Sequence, residues 1–190
     1  MRWFGGFLLI CALSAGAEER VSVCFNYGCL MQAEVVFSDE QMHELALLLG
    51  AAHDAAQERA AIGVAIGRLH GWAGEQSPIS ADRGENQADD AAYGRMDCID
   101  HSTTTTRMLR MMENQGMLRH HRVLEPVQRR SVLILEHFSA QIEEIDDMSL
   151  AARLAPLGRY VVDSWFFDNG QPAAVMPLAN WKAGESPNGS

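Results

Sequence analysis

Residues 98–116 read CIDHSTTTTRMLRMMENQG and residues 117–124 read MLRHHRVL, and the spacing of apolar residues changes between the two stretches. In the first, Met108, Leu109, Met111 and Met112 recur at helical spacing and Gly116 supplies a stop. A helix from near Cys98 to Gly116 is therefore expected, against the weak helix propensity of the run Thr103 to Thr106. Beyond Gly116 the pattern is that of strands, at 118–124, 131–144 and 160–167, the last closed by the turn tripeptide Asp168-Asn169-Gly170. Upstream, Ser38-Asp39-Glu40-Gln41 is a capping box that opens a helix running to Leu49, with Gly50 as its stop. A second helix over 52–72 is defined by Ala56, Ala60, Ile62, Val64, Ile66 and Leu69; Gly63 and Gly67, four apart, point to close helix packing. Residues 20–37 form two short strands around Tyr27-Gly28, and 74–94 read as a loop. Helices first and strands later give an α+β fold with an antiparallel sheet.

The N-terminus carries Arg2, an apolar run from Trp3 to Leu13, and Ser14-Ala15-Gly16-Ala17. This is the pattern of a cleavable secretory signal over residues 1–17, too short for a membrane span. Ile10 before Cys11 argues against a lipoprotein site. No repeat or internal boundary divides the rest, so 18–190 is expected to be one domain, with a Gly/Ser/Pro/Asn tail from about 182 to 190 disordered. The chain is expected in the periplasm or outside the cell, without a membrane span once the signal is removed. The formal charge of −10 disfavours nucleic acid and anionic lipid as partners.

Three cysteines follow the signal: Cys24, Cys29 and Cys98. Cys24 and Cys29 flank the turn tripeptide Asn26-Tyr27-Gly28, which places them to form a disulfide and leaves Cys98 free. Cys98 opens a helix, where the dipole and unsatisfied N–H groups favour thiolate. Period two puts His137 on one strand face with Leu133, Leu135, Ser139 and Gln141, and Asp163 on a face with Val161 and Trp165. An Asp beside a His fixes the imidazole tautomer and turns the other nitrogen toward a thiol. Of the adjacent pair His120 and His121, one is expected to be exposed. Cys98 and His101, at i and i+3, are also a possible pair of zinc ligands, but no second close-spaced ligand pair accompanies them.

The order Cys98, His137, Asp163, with the cysteine on a helix and its partners on strands, resembles the transglutaminase-like (permuted papain-like) cysteine peptidase superfamily. The segment Met96 to Asp163 is especially similar to the small bacterial transglutaminase-like cysteine proteinases, which carry a D-C-x-D helix start, a strand His and a V-D strand. The Asp97–Thr103 run also resembles an exported proteobacterial family within that superfamily, which implies no specific activity. The resemblance implies a nucleophile helix packed on an antiparallel sheet, Cys98 as nucleophile, His137 as general base and Asp163 as orienting carboxylate. Asp100 falls on the family's acidic residue, Trp165 on a looser shielding position, and His101 is a further candidate. Gln76, Asn86 and Gln87 compete for the upstream oxyanion-hole position. The implied activity is cofactor-free acyl transfer on a peptide or protein of the cell envelope. A non-catalytic binding module and a metal-binding protein are the alternatives.

Overall fold

The computed structural model describes residues 18–85, 92–130, 136–145 and 158–187. The secretory signal, Asn86 and Gln87, and Leu133 and Leu135 lie outside the described residues.

The chain begins with an antiparallel hairpin, β1 (Glu19–Phe25) and β2 (Met31–Phe37). Ser38 caps α1 (Asp39–Gly50): its hydroxyl accepts from Gln41 N while the Gln41 side chain accepts from Ser38 N. That reciprocal pair satisfies two donors that a helix start otherwise leaves bare. Asp54 caps α2 (Ala55–Gln76) through Gln57 N. The stretch expected as loop from 74 thus starts with the end of α2 and a 3-10 turn at Pro78–Ala81. The central helix α3 (Cys98–Asn114) precedes a four-stranded antiparallel sheet, β3 (His121–Arg130), β4 (Glu136–Glu144), β5 (Arg159–Asp163) and β6 (Ala174–Pro177), in spatial order 3-4-5-6. A short helix, α4 (Leu178–Lys182), follows. The fold is mixed α+β with two antiparallel sheets.

α3 packs against both the hairpin and the larger sheet. Met108, Leu109 and Met112 are fully buried with Val23 and Val35 of the hairpin, Ile62 and Ile66 of α2, and Ala140, Ile142 and Val162 of the sheet. Each such large side chain contributes about 1.5–3 kcal/mol. The threonine run survives in the helix because tertiary partners use its hydroxyls. Thr104 Oγ1 accepts from Cys24 N at 2.9 Å, and Thr105 Oγ1 lies 3.2 Å from His70 Nε2 and 3.0 Å from Ser164 Oγ.

The strands differ from expectation at three places. β3 begins at His121, not Leu118, because the buried Glu58 carboxylate takes the N–H of Arg119 at 2.7 Å and of His120 at 2.9 Å. It then continues through Pro126 to Arg130, the register shifting between Leu124 and Val127. Proline is tolerated there because β3 is an edge strand and the ladder is interrupted. β5 stops at Asp163, not Phe167, because Asp163 Oδ1 accepts from Trp165 N at 3.2 Å and the chain turns. Residues 182–187, expected as disordered tail, are described: Lys182 ends α4 and Glu185 N donates to Asn180 O.

Gly63 and Gly67 do pack closely, but mainly against the backbone of residues 171–173, which lead into β6, and not against a helix. Ala173 N donates to Gly63 O at 3.0 Å, and a Cβ on Gly67 would stand 2.7 Å from Gln171 O and 2.8 Å from Pro172 N. Gly67→Ala gains roughly 1 kcal/mol of helix propensity but overpacks rigid backbone at about 1–3 kcal/mol. Urea denaturation is expected to show net destabilisation for Gly67→Ala. Gly50→Ala, with nothing within 4 Å of the added carbon, is expected to be neutral or stabilising. Equal behaviour of the two variants would contradict the packing.

Candidate active site

Asp97 is the N-cap of α3. Its Oδ1 accepts from Ile99 N and Asp100 N at 3.0 and 2.9 Å, and Asp100 Oδ2 accepts from Asp97 N at 3.1 Å. Both carboxylates also hold the turn between β1 and β2. Asp97 Oδ2 accepts from Gly28 N, and Asp100 accepts from Tyr27 N and Cys29 N, at 2.8, 2.8 and 2.6 Å. Asn26, Tyr27, Gly28 and Cys29 all have φ between +57° and +68°. Consecutive non-glycine residues in that region cost about 1–2 kcal/mol each. The three N–H···carboxylate bonds and the Cys24–Cys29 disulfide hold the turn in place. Burial, reinforced by the charge of Asp97, pushes Asp100 up to about 6, against the N–H groups that favour its ionised form. Asp100 is thus committed to building the helix start.

This cap makes Cys98 the first residue of α3. Its thiol is free and half-buried, packs on the apolar cluster of Val161, Trp165, Phe166, Ala174 and Trp181, and donates to Glu136 O at 3.9 Å. Glu136 and Phe138 flank His137, so the sulfur meets β4 at the peptide groups on either side of the imidazole. The helix start was expected to favour thiolate, but the balance runs the other way. Burial pushes the Cys98 thiol up, Asp97 and Asp163 push it further, and the N–H groups of Phe138 and Cys98 only partly oppose them. These surroundings favour the thiol over the thiolate, and among the described residues its hydrogen bond goes to the Glu136 carbonyl rather than to His137.

His137 and Asp163 come together as their strand positions imply. His137 Nε2 lies 2.7 Å from Asp163 Oδ2. The same oxygen accepts from Trp181 Nε1 at 2.9 Å, and the carboxylate is 1% exposed. Three rings surround the imidazole: Trp165 at 4.8 Å, Trp181 at 5.6 Å and Phe166 at 5.7 Å between centroids. Trp165 therefore does stand over the His–Asp pair. Nδ1 of His137 has no hydrogen-bond partner among the described residues.

The other candidates are placed elsewhere. Gln76 clamps the backbone of Val36, bonding both its N–H and its C=O at 2.9 Å, at the end of the hairpin opposite the Asn26–Cys29 turn. His101 is buried and uses both nitrogens, Nε2 toward Asp82 and Nδ1 toward Ser164, each at 2.9 Å. The Cys98 sulfur and the His101 ring are thus bound to different partners. The metal-capable cluster among the described residues is Cys24, Cys29 and Asp100, whose two sulfurs are bonded to each other. His121 is the buried member of its pair, its Nδ1 2.7 Å from Glu58 Oε2.

Trp181 was missed because α4 is five residues long and lies between the last expected strand and the expected tail, where no element is read. The available signal was the indole itself, since a buried tryptophan needs an acceptor. Arg129 was missed as well: it stacks 4.7 Å over the Trp181 ring and donates to Trp181 O at 2.6 Å, fixing α4 to β3. No family model, curated protein or solved structure matches the chain.

Proposed function

We propose that this chain is an exported, transglutaminase-like enzyme that transfers acyl groups through Cys98, acting on a peptide or protein of the cell envelope. The observation that carries the reading is the 2.7 Å contact between His137 Nε2 and Asp163 Oδ2 inside an aromatic cage, with a free thiol seated on the peptide groups flanking that histidine. The asymmetry is chemically useful. With Nε2 engaged by Asp163, Nδ1 is the nitrogen available to take a proton.

Because burial keeps Cys98 protonated, activation is by general base at the moment of attack. The S–H proton passes to His137 Nδ1 as sulfur bonds to the substrate carbonyl carbon. His137 returns that proton to the leaving amine as the C–N bond breaks, which leaves a thioester. Water or a second amine then attacks the thioester, His137 again relays the proton, and the thiol is regenerated. The Cys98 backbone N–H, at the start of α3, stands beside the sulfur and supplies one donor for the oxyanion.

The second reading, an inert transglutaminase-like binding module, is favoured by one observation: the thiol bonds to the Glu136 carbonyl in place of the imidazole. Alkylation by iodoacetamide separates the two readings. In the folded protein Cys98 is expected to react, with a rate still rising above pH 9, since a thiol raised above its ordinary value of 9.0 is ionised only there. Mass mapping of the modified residue gives the site. Labelling that appears only in urea would leave the binding module as the better account.

A further inference from the structure

A second buried carboxylate–histidine pair lies close by in the chain and does not take part in the chemistry above. We infer that Asp82, His101 and Ser164 are positioning residues that fix the Cys98 end of α3 against the Asp163 end of β5; the inference rests on reading Cys98, His137 and Asp163 as the site.

Asp82 is fully buried; its Oδ1 accepts from Met96 N at 2.9 Å and its Oδ2 lies 2.9 Å from His101 Nε2. Met96 stands two residues before Cys98 and His101 three after it, so one carboxylate grips the chain on both sides of the nucleophile. His101 Nδ1 reaches Ser164 Oγ at 2.9 Å. Ser164 directly follows Asp163, and successive Cα atoms are held about 3.8 Å apart by the peptide bond. A displacement of Ser164 is therefore passed directly to the carboxylate that orients His137. Thr105, two turns into α3, bonds the same Ser164 hydroxyl at 3.0 Å, which gives the helix a second hold on β5. His70 of α2 stacks on His101 with centroids 5.8 Å apart, bonds Thr105, and is held neutral, its value lowered to about 3 by burial and then by His101.

Adhesion between α3 and the sheet is already supplied by the apolar core, so the network adds little that hydrocarbon could not. Its distinctive contribution is direction. Hydrogen bonds of fixed length set where the thiol and the carboxylate stand relative to one another, and a misplacement of about 1 Å at such a site can cost on the order of 100-fold in rate.

The test compares two reactions of Cys98 in the full chain. Acylation by p-nitrophenyl acetate needs the thiol, base and carboxylate in register, whereas alkylation by iodoacetamide at pH 10 needs only an ionised, accessible sulfur. Ser164→Ala is expected to lower acylation by about tenfold or more while alkylation at pH 10, measured well below the thermal midpoint of the variant, stays near wild type. Ser164→Thr, which restores a hydroxyl, should recover most of the loss, and Asp82→Asn, which keeps the acceptor for Met96 N, should resemble Ser164→Ala. His137→Ala is the control. If it acylates slowly while Ser164→Ala acylates at the wild-type rate, the positioning role is overturned and the site reading stands. If His137→Ala acylates as fast as wild type, both fall together. A threonine variant as slow as the alanine variant also overturns the inference.

Discussion

His137→Ala is expected to slow acylation of Cys98 by about 10²–10⁴-fold, the range that a positioned general base supplies. The size follows from the resting state of the sulfur. A site with a preformed thiolate tolerates loss of its base better than one in which burial and two neighbouring carboxylates, Asp97 and Asp163, hold the proton on. Removing His137 leaves that proton without an acceptor. Stopped-flow release of nitrophenol at pH 7.5 measures the step directly, with Cys98→Ala as the zero. The deficit of His137→Ala should narrow as pH rises past 9, where solvent ionises the thiol unaided. A deficit independent of pH would mean that His137 holds the site's shape and moves no proton.

The largest loss of stability is expected at Glu58. This carboxylate on α2 is fully buried and accepts from Arg119 N, His120 N and His121 Nδ1. The His121 ring is itself fully buried, with Arg59 3.4 Å from its Nε2. Glu58→Ala strips two backbone donors and a buried imidazole of their acceptor at once. Losses of about 3–5 kcal/mol follow when one partner of a buried pair is removed, as read from the urea midpoint. Glu58→Gln keeps an acceptor and should fall between. Burial raises the Glu58 pKa, but the bonds from His121, Arg119 and His120 prevail and hold it below its ordinary value of 4.5. The stabilisation is therefore present above that value and is lost as pH falls through the lower, folded-state one. The wild type should lose stability in acid more steeply than Glu58→Gln does; parallel curves would refute the assignment.

Local signals were legible in the residues and long-range ones were not. The start of α1 could be read because Ser38 and Gln41 lie within one turn and satisfy each other. The pairing of His137 with Asp163 could be anticipated from strand period and chain order, since antiparallel β4 and β5 place them on one face. The start of β3 could not, because the group that withholds Arg119 and His120 from the ladder is a carboxylate far upstream on α2. The same holds for Asp82: nothing in the loop composition around it marks the one aspartate that reaches both Met96 and His101. The state of the Cys98 sulfur was misjudged for a related reason. A helix start is visible in sequence, whereas the burial that outweighs it is assembled from β4, β5 and α4.

Trp181 gives the site an order of assembly. The chain leaves the ribosome from its N-terminus, so Cys98, His137 and Asp163 are all made before the indole that bonds Asp163 and covers the imidazole. Until α4 docks, the His–Asp pair lies open to water on that side and the carboxylate lacks the indole donor. A product of interrupted translation ending before residue 178 would carry Cys98, His137 and Asp163 without this wall. Synthesis itself thus acts as a timer: the His137–Asp163 pair stays unroofed until the segment carrying Trp181 has been made and has docked.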